Sequence, residues 1–104
     1  MKISIDFDGV LVERNEIPRT TDIMDCPPTK NAREALEYLL SKGHKLYIST
    51  ARPQSQWLLV KKWLEYNGFP KIKITNKKEP NTTLYIDDRA YRFTNWLDIT
   101  KLCE

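Results

Sequence analysis

The sequence predicts an α/β fold built on a parallel sheet with helices on both faces. Apolar runs of strand length alternate with helix-length amphipathic segments, the pattern of strands joined by helical crossovers. Acids or a hydroxyl follow three of those runs, at Asp6 with Asp8, at Thr50, and at Asp87 with Asp88. Open parallel sheets bind ligands outside the carboxyl ends of their strands, so the three ends are expected to converge on one site. A chain of 104 residues supports one core, and residues 1–104 are expected to form a single domain.

Ile3, Ile5 and Phe7 alternate with Ser4 and Asp6, which predicts a first strand ending near Asp6. Residues 13–28 lack periodicity and hold Pro18, Pro27 and Pro28; they read as a long loop able to fold over the site as a small lid. Thr29 or Asn31 caps the next helix, whose apolar positions are Ala32, Ala35, Leu36, Leu39 and Leu40, with Gly43 placed to end it. Lys45 to Thr50 is the second strand. Pro53 suits the first turn of a second helix, Gly68 its end, and Trp57, Leu59, Val60, Trp63 and Leu64 form its core-facing side. Lys71 to Thr75 and Thr83 to Asp87 read as strands three and four, and a short helix follows Trp96.

The formal charge of +3 makes the surface mildly basic, which favours anionic ligands without singling out nucleic acid. Two cysteines without CxxC spacing and a single histidine, His44, make no zinc site, and reduced thiols in a cytoplasmic protein are the simpler reading. The chain runs from Met1 directly into a strand, unlike a removable signal peptide, and no apolar run reaches membrane-spanning length. Secretion and membrane insertion are not expected.

Two carboxylates held as close as Asp6 and Asp8 repel, and a bound cation or a shared proton relieves them. Gly9 leaves the backbone open to a phosphate or metal. Asp87 and Asp88 pose the same problem at another strand end and suggest an oxygen-ligand Mg²⁺ site, the bland alternative being a local ion pair with Arg89. Thr50 either caps the following helix or offers its hydroxyl to a phosphate oxygen beside that helix start.

Asp6-Phe7-Asp8-Gly9-Val10, a strand ending in Thr50, a downstream lysine and Asp87-Asp88, in that order, resemble the four motifs of the haloacid dehalogenase-like superfamily, most of whose members are Mg²⁺-dependent phosphatases. The four motifs span nearly the whole chain, and YISTARP, TNKK and YIDDRAYRF are similar to small phage-type members and to the capsule-biosynthesis phosphatase group. The resemblance implies a three-layer Rossmann-like domain. Neither gap between motifs is long enough for a separate cap domain.

By that resemblance Asp6 is the nucleophile, forming an aspartyl-phosphate, and Asp8 is the acid and base, with its backbone carbonyl on Mg²⁺. Thr50 holds the phosphoryl group beside Gly9, Ala51 and Arg52. Lys78 or its neighbour Lys77 neutralises charge, with Lys78 favoured by the TNxK spacing. Asp87 and Asp88 bind the metal together with Asp6 and Asp8. The implied reaction is hydrolysis of phosphate monoesters; the alternatives are a nucleotidase, a phosphatase of nucleic-acid ends, or a catalytically idle binding protein. An open site implies a large or polymeric phosphorylated substrate, or closure by a second copy in a homo-oligomer. Arg14 joins Arg52 as a contact for an anionic substrate, and His44 has no catalytic role.

Overall fold

The computed structural model describes residues 1–14, 16–18 and 20–104. Its elements are β1 (Lys2–Asp6), α1 (Ala32–Ser41), β2 (Lys45–Ser49), α2 (Trp57–Tyr66), β3 (Lys73–Thr75), β4 (Leu84–Ile86) and α3 (Trp96–Leu102), with single tight turns at Ile23–Asp25 and Gln54–Gln56. The four strands form one parallel sheet in the order β3-β2-β1-β4. This is the Rossmann-like α/β architecture expected. No helix among the described residues is long and apolar enough to cross a membrane.

Strand alternation explains the core. Ile3 stands beside Leu46 and Leu84, and Ile5 beside Ile48 and Ile86, so one face of the sheet is apolar along its length. The steps from β1 to β2 and from β2 to β3 run the same way across the sheet, and right-handed crossovers then place α1 and α2 on the same face. Leu36 from α1 and Val60, Trp63 and Leu64 from α2 join Ile3, Ile5, Leu46 and Ile48 in one cluster. Of the apolar positions expected on α1, Ala32 and Leu36 are buried and Leu39 half-buried, whereas Ala35 and Leu40 are exposed. A helix resting on one sheet face buries a narrow stripe.

The opposite face is crossed by the link from β3 to β4. The chain reverses direction between β3 and β4, and residues 76–83 make that crossing without a helix. Pro80 and Asn81, the latter at φ 64°, interrupt any helical run there. Lys2 Nζ donates to the Pro80 carbonyl, and Lys73 pairs with Glu79 at 3.6 Å. Tyr47, on this face, is 6% exposed; the ammonium groups of Lys2, Lys45 and Lys73 lie 5.1, 5.6 and 5.7 Å from its ring centre. Lysine stems thus cover apolar surface while their charges stay wet. α3, started by Asn95 Oδ1 accepting from the Asp98 N–H, has no fully buried residue.

The segment expected as a lid, 13–28, includes residues 15 and 19, which lie outside the described residues. Its second half is tied into the core: Ile23 and Cys26 are buried, Glu13 N–H donates to the Pro27 carbonyl, and Trp63 Nε1 donates to the Cys26 carbonyl at 2.9 Å. Trp63 is fully buried, edge-on to Phe7 at 5.3 Å and stacked on Phe69 at 5.5 Å. Trp63→Phe orphans the Cys26 carbonyl and is expected to cost about 1–3 kcal/mol. Trp63→Ala adds a cavity and is expected to cost about 3–5 kcal/mol. Urea unfolding of the two variants measures both: an unchanged Trp63→Phe would show that the hydrogen bond contributes nothing, and equal losses that the cavity adds nothing.

Candidate active site

The site follows from the reversal in strand order. β1 lies between β2, reached by a crossover on the helical face, and β4, reached by the loop on the other face, so the crevice opens outside the carboxyl ends of β1 and β4. Asp6 ends β1 and Asp87 follows β4 directly. Because Ile5 pairs with Ile86, the two acids leave the sheet at the same level.

One carboxylate oxygen each from Asp6, Asp87 and Asp88 lie within 4.8 Å of one another. The Asp6 pKa is pushed up to about 6, first by burial and then by the charge of Asp87, with smaller contributions from Asp88 and Asp8. The Phe7 N–H, donating to Asp6 Oδ1 at 2.9 Å, pulls the other way. Asp87 Oδ1 accepts the backbone N–H groups of Arg89 at 2.7 Å and Ala90 at 3.2 Å, which fixes its carboxylate over the strand end. The ion pair considered between these acids and Arg89 is not made: among the described residues the Arg89 guanidinium has no acid within 4.0 Å.

Gly9 is favoured by its backbone, and a side chain there would displace Asp88. The Gly9 φ of 84° lies in the left-handed region, and a Cβ there would stand 2.3 Å from Asp88 Oδ2. Three close carboxylates of this kind, hard oxygen donors that repel until something neutralises them, suit a divalent cation such as Mg²⁺.

Asp8 is turned away from that group. Arg52 grips both its oxygens, Nε to Oδ2 at 2.9 Å and Nη2 to Oδ1 at 3.0 Å, and Arg14 Nε approaches Oδ1 at 3.8 Å. Arg52 is held in turn by Gln56, which accepts from Nη1 at 3.0 Å, and by its own carbonyl, which accepts from Trp57 Nε1 at 3.1 Å. Thr50 is buried at the end of β2, and its hydroxyl accepts the Arg52 N–H at 3.1 Å. It therefore shapes the turn that aims Arg52. Ala51, Gly9 and Asp88 line the same recess as this pair.

The sequence reading missed Thr75. It ends β3, is buried, receives Thr50 N–H on its carbonyl at 3.0 Å, and accepts the Lys77 N–H on its hydroxyl at 3.1 Å. The device at Thr50 is thus repeated at Thr75. The signal was the recurrence of strand, threonine, then a basic residue two positions on, in STAR and ITNK.

The two lysines separate. Lys78 lines a cavity of about 490 Å³ with Asp87, Tyr85 and Tyr91, and its ammonium lies 6.0 Å from the Tyr85 ring centre. Lys77 lines a different recess with Trp57 and Gln54. His44 sits at the far end of the sheet, its Nδ1 2.8 Å from the Met1 amino group. Cys26 and Cys103 are both free thiols.

No family model matches the chain. Over 45 residues it is 44% identical to a Bacillus cereus protein described as "Putative nucleotidase", a match covering 43% of this chain and 24% of that protein. The chain thus aligns with about a quarter of the curated relative. Among solved structures it is similar to a conserved protein of Bacteroides thetaiotaomicron, with a TM-score of 0.66 and 23% identity over 99% of this chain and 88% of the other. A Vibrio cholerae crystal structure gives 0.55 and 25% over 97% and 94%. These likenesses establish the fold along nearly the whole chain.

The raised Asp6 pKa has a consequence for stability. Between the unfolded value near 3.8 and the folded value of about 6 the native chain holds a proton that the unfolded chain releases. Stability from this group is therefore present at low pH and lost as pH rises through 6. Asp6→Asn removes the loss. In chelator-treated protein the variant is expected to melt about 2–5 °C above the wild type at pH 7.5, with the gap closing at pH 4; solvent screening at this half-exposed group limits the size. A thermal scan across pH checks it, and a pH-independent gap would contradict the repulsion.

Proposed function

We propose that the chain is a phosphatase-type hydrolase that cleaves phosphate monoesters with Asp6 as the nucleophile. The observation carrying this reading is the convergence of Asp6, Asp87 and Asp88 at the strand-order reversal, with Asp8 and Thr50 on the neighbouring turns. The order of the motifs supports it, and so does the relative described as a nucleotidase.

Asp6, Asp87 and Asp88, with the Asp8 carbonyl, would hold a Mg²⁺ ion, which when bound neutralises charge on the transferring phosphoryl group. An Asp6 oxygen attacks phosphorus; the bond to the leaving oxygen breaks as the aspartyl-phosphate forms. Asp8 gives a proton to the leaving oxygen, then takes one from the water that hydrolyses the acyl phosphate and regenerates Asp6. To do so it exchanges its pairing with Arg52 for the leaving group. The Thr50 hydroxyl donates to a phosphoryl oxygen while still accepting the Arg52 N–H. Lys78, which shares a cavity with Asp87, neutralises the charge that accumulates between Asp6 and phosphate. Nothing in this reading requires a separate cap domain.

Within this class the curated relative favours nucleotides as the first substrates to try. A panel of p-nitrophenyl phosphate, sugar phosphates, nucleoside 5′-monophosphates and a 5′-phosphorylated oligonucleotide, assayed with Mg²⁺, is expected to show turnover of at least one ester. Asp6→Asn should lower that turnover by roughly 10⁴-fold. No turnover by the wild type, or equal turnover by the variant, would remove the nucleophile assignment. Lys78→Ala is expected to cost roughly 10²-fold, and Lys77→Ala less than a tenth of that; the reverse ranking in kcat/KM would move the lysine role to Lys77.

A further inference from the structure

Beside the acids lies an open recess of about 470 Å³ lined by three arginines, Arg14, Arg52 and Arg89, and two aspartates, Asp8 and Asp88. Asp88 belongs to the acidic trio, so Asp8 alone is left to balance the arginines. Arg52 already takes both Asp8 oxygens. Arg14 stands at 3.8 Å from Asp8, beyond hydrogen-bond distance, and spends Nη1 on the Cys26 sulfur at 3.3 Å, a weak acceptor. Its side chain is 20% exposed, and the nitrogens of the fork that have no protein partner reach solvent, where a ligand could meet them. Arg89 has no acidic partner among the described residues. The recess is therefore cationic and underpaired, and it meets the acidic trio at Asp88 and Gly9.

We infer that this recess is a subsite for a second anionic group on the substrate, so that the preferred esters carry a carboxylate or a further phosphate close to the phosphate that is cleaved. The inference rests on the phosphatase reading for what occupies the acidic side. Arginine forks match carboxylate and phosphate oxygens in pairs, and such charge-assisted bonds strengthen in a half-enclosed recess. The second anion also competes with Asp8 for Arg52. Binding of the right substrate then frees the Asp8 carboxyl for the leaving oxygen, whereas an ester lacking the anion leaves Asp8 paired. The shared chemistry fits a small phospho-carboxylate or bisphosphate as well as a nucleotide with a second phosphate.

The test is calorimetric and independent of turnover. Asp6→Asn protein with Mg²⁺ is titrated with two pairs of probes that differ in the second anion: 2-phosphoglycolate against ethyl phosphate, and adenosine 3′,5′-bisphosphate against adenosine 5′-monophosphate. At least one two-anion probe is expected to bind tenfold or more tightly than its partner, and the pair that responds identifies the source. Adding Arg14→Gln or Arg89→Gln should narrow the preference to within threefold, while Arg14→Lys retains part of it; melting curves confirm that each variant folds. Equal binding within both pairs, or a preference that survives both substitutions, overturns the subsite. If the preference is found but no ester is turned over by the wild type, the subsite stands and the phosphatase reading falls.

Discussion

The parallel register of β1 against β4 is the constraint on which the site depends. Ile3 against Leu84 and Ile5 against Ile86 place Asp6 and Asp87 side by side at the top of the sheet. A slip of one residue would turn Ile3 and Ile5 to the opposite face and bring Ser4, now buried on that face, into the apolar cluster in their place. The hydrophobic core fixes the register, and the register brings like charges together. Burial first, and then the charge of Asp87, raises the pKa of Asp6. The fold thus gathers like charges where the proposed cation would relieve them, and the buried cluster around Trp63 and Phe7 holds the arrangement in place.

Charge is segregated around that crevice. On one side stand Asp6, Asp87 and Asp88; on the other, Arg14, Arg52 and Arg89. Phe7 is fully buried, so the chain on either side of it emerges at the surface, and the turn through Gly9 carries Asp8 to the basic side while Asp6 stays on the acidic side. Asp8 thus stands between an acidic cluster and an arginine-rich recess, where the proposed proton transfer would respond to both. Thr50 and Thr75 hold the turns from which Arg52 and the two lysines project, each by accepting a backbone N–H two residues on.

Much of this was legible in the sequence because it is local. Strand alternation at Ile3, Ile5 and Phe7, the glycine stops at Gly43 and Gly68, and the acids after strand ends each rest on residues a few positions apart, and the structure places them as read. What was not legible depends on separations that no periodicity reports. The Arg52 pair with Asp8 spans 44 residues, and Lys2 bonds to Pro80 across 78. The short link between β3 and β4 was read without a helix, yet only the strand order shows that residues 76–83 must carry the chain across the sheet to its other edge. The exposure of Ala35 and Leu40 likewise follows from how α1 rests on the sheet and not from its spacing.

The helix-free crossing of the second face and the open site have a common origin. With α1 and α2 on one side and only a loop and lysine stems on the other, the crevice between β1 and β4 is walled by turns, with no helical layer rising above it. Such a site encloses little of a ligand, and discrimination by shape is correspondingly weak. Charge is the remaining source of selectivity: an acidic cluster and a basic recess within one ligand's reach can sort anions by number and spacing where the walls cannot. A shallow crevice favours recognition by paired charges, and the excess of arginines over acids beside Asp8 is what the proposed subsite would use.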